Sequence, residues 1–521
     1  MRFASTGSDT NPNTRKGITH MNENSPSNAA DNGSKELLLF QMGPVQEFIA
    51  QAATPSDLWA GSYLLSDLIL AGIMSIPDYE KALIFPDLSQ GSTVREAMKG
   101  ESLIPSIPNR FLAKVQDGET VATKVKEAIQ SELHALRIKA GLTSDAAEKQ
   151  CDQFLQMTWA VLSNPTGNMC EDYKSVNRLL AMRRNVRQFN PWREDESTKV
   201  GGRNGPKDFL SGKETALDFE NGLGAMNLLK RCLPGMKGKT IPAIQSEADR
   251  YLAIIALDGD KMGATLSNLK EHEHPKFSKS LAEFASEAKD KIKKPGVLIY
   301  AGGDDVLAAV PAKNAIDTAK DLAEHFATKM QEFKWKDDNG KENAVSASAG
   351  IAIGHEATPL LDLVHAAQEA ERRAKSDYDR NAIALTVFKR SGESLEWGCN
   401  WDCRAAFCLH KRIVRALGED LSARFPYKLA ALLDPYELGS MNTKEEDQDL
   451  TSGNVSNEEM EKIVLEELAH VWERSSKDKD PDLYEKAKDY LHKTFEKKRP
   501  QDFLNLFLCE TFINRQRSEE N

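Results

Sequence analysis

Between Arg250 and Lys389 the chain alternates apolar and amphipathic runs in an order that few folds accommodate. The segments 251–257, 297–300, 306–310, 345–354 and 382–389 read as strands, rich in β-branched and small apolar residues. Residues 277–292, 313–333 and 359–375 carry the 3.6-residue spacing of helices. Strand, helix, two strands, helix, strand is the ferredoxin-like unit, here lengthened by a further helix and strand.

The hairpin of this unit reads LIYAGGDDVLAAVP. The Gly302-Gly303 pair is expected to turn the chain and lift Asp304 and Asp305 onto the hairpin tip. Adjacent carboxylates at such a tip suit a hard divalent cation shared with substrate phosphates. Taken alone, the string fits a solvated acidic turn equally well. The first strand of the unit ends in LDGDKMG, so Asp258 emerges beside the hairpin in this topology. Asp258, Asp304 and Asp305 can then converge, and two divalent ions held there would bridge a triphosphate and activate a hydroxyl for nucleotidyl transfer. Asp260 is expected to shape the turn with Gly259 rather than join them. Lys375 ends the helix 359–375 and can reach a phosphate, although spacing alone favours an ordinary cation at a helix C-terminus. Gly302 and Gly303 would admit a nucleotide close to the backbone, or serve the turn alone.

The rest of the chain supplies further domains, since 521 residues exceed one core. Residues 1–34 are polar and read as a disordered tail. Residues 35–116 carry strand, helix and strand signals of an α+β domain, including helices after Pro44 and strands at 82–88 and 111–115. Residues 117–190 look helical throughout, and Asn190–Gly212 reads as a long polar loop, together giving a helical domain over 117–240. The 241–395 unit follows, then a helical domain over 396–521 with a polar acidic linker at 438–458.

A net charge of −11 argues against a surface that grips nucleic acid everywhere, while leaving room for a local groove or a basic partner. Seven cysteines are an odd and sparse set, fitting a reducing cytoplasm, and no apolar run is long enough to predict a membrane span. Trp59 and Tyr63, one turn apart, read as core. The run 178–187 is basic enough to touch RNA, or simply to be solvated. His272 and His274 read as loop residues.

Together GGDD, LDGDKMG and AAQEAERRAKSDYDRNAIAL resemble the palm of GGDEF-type nucleotide cyclases and of the polymerase-cyclase subunit of type III CRISPR complexes. The segments LLLFQMGPVQEFIAQAATPSDLWAGSYLLSDLI, IPNRFLA, SGKETALD and AIALTVFKRSGE look like the large subunit of type III-B (Cmr) complexes, from about Leu37 to Glu393. The resemblance implies an α+β fold of two ferredoxin-like palm domains, the second cyclase-like, with an intervening helical domain and a C-terminal helical domain. It implies ATP between the palms, Mg2+ or Mn2+ on Asp258, Asp304 and Asp305, and Lys375 with Gly302 and Gly303 near phosphates. The first palm, lacking such a cluster, would hold substrate without ligating metal. The implied activity is target-RNA-activated conversion of ATP to cyclic oligoadenylate with release of pyrophosphate. The implied partners are other Cmr subunits, CRISPR RNA and target RNA, in the cytoplasm and away from membranes.

Two departures stand out. No His precedes an Asp anywhere in the chain, so the metal pair of the family's HD nuclease is missing. The stretch from Arg187 to Ser211 contains no cysteine where the family commonly binds zinc. Cys399, Cys403, Cys408 and His410 are irregularly spaced and read as a helix with buried thiols. Rival functions are transfer of AMP to S-adenosylmethionine and a scaffold subunit without catalysis. A free-standing diguanylate cyclase leaves the first palm unexplained.

Overall fold

The computed structural model describes residues 35–88, 92–99, 107–186, 199–200, 203–236, 250–270, 272–293, 296–337, 339–417, 419–438, 456–477 and 480–518. The tail 1–34, most of the 438–458 linker and part of the 190–212 loop lie outside them.

The first sheet is built from β1 (Glu36–Gly43), β2 (Leu83–Phe85), β3 (Arg110–Val115) and β4 (Gln156–Leu162). Its order is β2-β3-β1-β4 with every pairing antiparallel. Between β1 and β2 run α1 (Gln46–Ala50) and α2 (Pro55–Met74). Between β3 and β4 run α3 (Gly118–Lys139) and α4 (Asp145–Phe154). This is again the ferredoxin-like order, and it corrects the expectation of unbroken helix over 117–190. The last strand, QMTWAVL, sits there because alternate residues pack on both sides of it: Ala160 joins Leu37, Leu39 and Leu112, while Trp159 stacks on Phe40 at 6.0 Å.

Helix α2 starts cleanly because Thr54, just before Pro55, forms a reciprocal capping box with Asp57 in the first turn. It is long and apolar enough to cross a bilayer, contrary to the sequence expectation, but 72% of its most apolar window is buried inside the protein. Its apolar content therefore serves the core. Helices α5 (Met169–Asn185) and α6 (Ala225–Met236) follow. Lys230 of α6 is buried and donates to the carbonyls of Phe48 and Gln51, closing the end of α1. Desolvation pulls its pKa down to about 7.

The second sheet comprises β5 (Tyr251–Gly259), β6 (Val297–Gly302), β7 (Asp305–Pro311), β8 (Ala347–His355), β9 (Ala382–Phe388) and β10 (Ser394–Asn400). Its order is β10-β9-β8-β5-β7-β6, and only β8 and β9 run parallel. Helices α7 (Glu273–Lys291), α8 (Ala315–Met330) and α9 (Leu360–Ser376) connect the strands. The strand β10 runs past residue 396, where the C-terminal helical domain was expected to begin, and so corrects that boundary. His274 is likewise not a loop residue: it is buried on α7, its ring 5.9 Å from that of Tyr173.

The alternation of β5 explains its unbroken apolar run. Ala253, Ile255 and Leu257 pack with α7, α8 and the C-terminal helices, whereas Ile254 and Ala256 join the core of the first palm. The C-terminal helices are α10 (Arg404–Ala416), α11 (Phe425–Leu433), α12 (Asn457–Ser475), α13 (Pro481–Glu496) and α14 (Gln501–Ser518). The second palm is thus covered on both faces, with its acidic end left at a seam with the first.

Candidate active site

The register of β5 and β7 pairs Leu257 with Val306, so the next step brings Asp258 opposite Asp305. Like charges directly opposed in a sheet repel. Burial, followed by the charges of Asp258 and Asp304, holds the Asp305 pKa well above the ordinary carboxylate range. Burial and then Asp258 raise Asp304 to about 7, against the opposing pull of Lys375.

The turn itself is Gly303-Asp304, because Gly302 and Asp305 are the closing pair of the hairpin. This corrects the placement of both glycines at the tip. Gly303 has φ of +73°, a left-handed conformation that glycine adopts without strain. Gly302 is needed for a different reason: a Cβ there would overlap the Tyr300 hydroxyl at 1.7 Å. Tyr300 therefore lies across the turn, its phenol raised by burial and by Asp305, Asp304 and Asp258. A Cβ on Gly259 would come within 2.9 Å of the Asp304 Cβ, which fixes how closely the tip approaches the end of β5.

Lys375 is brought to the site by α9. Its ammonium contacts Asp258 and donates to Glu371 at 2.6 Å, one helical turn back. Those two carboxylates raise its pKa despite the cost of burial. The sequence reading placed Lys375 near a phosphate; in the structure its partners are carboxylates. Glu371 was missed, although the Glu-to-Lys spacing of four on one helix face was a visible signal. Its pKa is raised, chiefly by burial. Helix α9 can lie this close because β8 carries Gly350, where a Cβ would stand 2.1 Å from the Ala367 carbonyl and the Glu371 amide.

Asp260 does not join the cluster. Its carboxylate is 2% exposed and accepts from Ser346 Oγ at 2.7 Å, Ser348 Oγ at 2.8 Å and the Asn381 amide at 3.0 Å. The expected turn role becomes a bridge between three segments. The cysteine expectation also changes: Cys399 is on strand β10, Cys408 is exposed on α10, and buried His410 is hydrogen-bonded to Glu510 at 2.7 Å. Trp59 and Tyr63 stack at 4.8 Å, the former buried.

A cleft runs from Asp258, Asp305, Tyr300 and Glu371 to Val45, Gln46 and Ile49 beside α1, joining the acidic end of one palm to the other. The all-oxygen carboxylate set suits a hard divalent cation. Among the described residues, however, no three acidic, His or Cys side chains form a ready-made cation cage. Lys375 instead supplies positive charge to Asp258.

Two ferredoxin-like units meeting at an acidic hairpin define the class: a two-palm protein whose polar centre lies on the second palm. Residues 251–384 match the family described as "Cas10/Cmr2, second palm domain", and residues 37–137 match "CRISPR-associated protein Cmr2, N-terminal". Both matched segments, one in each palm, thus fall within models of the same Cas10/Cmr2 family. The chain is 28% identical over 222 residues to the CRISPR system Cmr subunit Cmr2 of Pyrococcus furiosus, across 36% of this chain and 24% of that protein. The matched stretch thus spans about a quarter of the length of that relative. Its fold resembles a type III-B Cmr-beta chain in the apo state, with a TM-score of 0.58 at 12% identity, covering 93% of this chain and 82% of that one. It also resembles a chain of Cmr-beta bound to cognate target RNA, at TM-score 0.54 and 12% identity, over 87% and 79% of the two chains. A Csm1-Csm4 cassette chain in complex with cA4 aligns at TM-score 0.52 and 14% identity, over 92% and 70%.

Proposed function

We propose that the chain is the nucleotidyltransferase subunit of a type III-B complex, converting ATP to cyclic oligoadenylate when target RNA pairs with the guide. The observation that carries this reading is the Asp258, Asp304 and Asp305 cluster at the seam between two palms. Its partners would be other Cmr subunits, CRISPR RNA and target RNA, and its setting the cytoplasm.

Asp258, Asp304 and Asp305 would hold Mg2+ or Mn2+. Bound there, such ions would stabilise charge on the triphosphate and acidify the attacking 3′ hydroxyl. The chain's own residues do the positioning. Gly303 keeps the turn open above Asp304, Tyr300 walls one side, and α1 closes the cleft opposite. Glu371 holds the Lys375 ammonium beside Asp258, where it tempers acidic repulsion before nucleotide arrives and lies within the same charged pocket as the phosphates. Gly302 supports this indirectly, by letting Tyr300 pack.

The test is the assembled complex with target RNA, Mg2+ and ATP, analysed for oligonucleotide product. Product that depends on Asp304 and Asp305 supports the reading. Complete absence of product from the wild-type complex overturns it.

A further inference from the structure

Asp379, Arg380 and Asn381, which join α9 to β9, all have positive φ, at 56°, 69° and 47°. None is glycine, and L residues adopt this region only where the surroundings hold them there. Three in succession make this the most strained stretch of backbone near the acidic site. It begins directly after the helix whose last turns carry Glu371 and Lys375.

The restraints on this turn are specific. Arg380 N donates to the Ala374 carbonyl at 3.2 Å, and Asn400 Nδ2 donates to the carbonyls of Tyr378 and Arg380. The Asn381 carbonyl accepts from Trp401 N at 2.8 Å. The Asn381 amide, the last in the strained run, donates to Asp260 Oδ2. The same carboxylate collects both serine hydroxyls at the start of β8, and the Asp260 amide donates to the Ser346 carbonyl at 2.8 Å. Asp260 thereby joins the exit of β5, the entry of β8 and the entry of β9. It lies two residues past Asp258, so the two ends of the Lys375–Asp258 contact are tied together through it.

We propose that Asp260 is a positioning residue: it latches the left-handed turn 379–381 so that α9 presents Lys375 and Glu371 to Asp258. This rests on the nucleotidyltransferase reading only for its consequence in turnover. The latch is a property of the metal-free, nucleotide-free chain.

Two measurements test it. Hydrogen exchange on the full chain reads the latch without catalysis: Asp260→Ala is expected to speed exchange across 371–383 by about tenfold or more, consistent with local opening. Asp260→Asn, which keeps an oxygen for the Asn381 amide, is expected to stay within about threefold of wild type and provides the comparison should the alanine variant fold poorly. Unchanged exchange in Asp260→Ala, or exchange in Asp260→Asn as fast as in a folded alanine variant, overturns the latch. In the assembled complex, a double-mutant cycle with Lys375→Met reads the positioning role. If Asp260 acts through Lys375, Asp260→Ala lowers turnover about tenfold in the wild-type background and less than about twofold once Lys375 is gone. Equal losses in both backgrounds overturn it. A wild-type complex that makes no product defeats the functional reading alone, because the exchange result stands apart from it.

Discussion

Asp258 and Asp305 face each other across β5 and β7, one step beyond the Leu257–Val306 pair. Burial and the charge of Asp258 raise the pKa of both Asp304 and Asp305. The charge balance of the site without metal is therefore set by protons on these two residues and by Lys375, which contacts Asp258.

A pH dependence follows for the metal-free chain. Asp304 is raised to about 7 from an ordinary value of 3.8, and Asp305 is raised in the same direction. The native state then binds more protons than the unfolded state between those values, so the contribution is stabilising at low pH and is lost as pH rises through about 7. With chelator present, the melting temperature should fall across that window. Mg2+ should raise it more at pH 7.5 than at pH 5.5. A melting temperature whose response to Mg2+ is the same at both pH values contradicts this assignment.

Replacing Asp304 and Asp305 together by Asn should cut product by about a hundredfold or more, the scale of losing a dominant electrostatic contributor. Assembly should be intact, and metal-free stability near neutral pH should hold or rise, because the buried repulsion is gone. Native mass spectrometry of the complex and a thermal scan check the two halves separately.

Lys375→Met should have opposite effects on ion binding and turnover. The ammonium competes with a divalent ion for Asp258, so Mn2+ affinity without nucleotide should increase severalfold. Product formation should drop, since the proposed function has this cation standing beside the phosphates. Titration calorimetry showing weaker Mn2+ binding would place Lys375 outside the site.

The sequence made some parts of this arrangement more legible than others. The second palm could be read through β9 because its strands are buried on both faces and bounded by clear turns, as in YLAIIAL. The β4 segment QMTWAVL reads as helix in the sequence because it follows a helical run with no Gly or Pro between them. Only its pairing with β1 decides its state, and that contact is distant in sequence. Asp258, Asp304 and Asp305 were found from strand ends, whereas Tyr300 and Gly350 were not. Their importance lies in close approach between elements, which no local pattern encodes.

Gly350→Ala tests that point. The added methyl group would meet the Ala367 carbonyl and the Glu371 amide, both backbone atoms that cannot step aside. A loss of about 1–3 kcal/mol in stability is expected, the usual cost of overpacking, with α9 shifted away from β8. Product should fall along with melting temperature. A variant as stable and active as wild type would show that α9 has slack the geometry does not suggest.

The central claim is that the acidic hairpin joins adenylates. It is tested most directly by the mass of what the target-bound complex makes from ATP and Mg2+. A product of linked AMP units, formed with pyrophosphate and missing from the Asp304→Asn, Asp305→Asn complex, is the predicted result. No product from wild type, or equal product from both complexes, would contradict it.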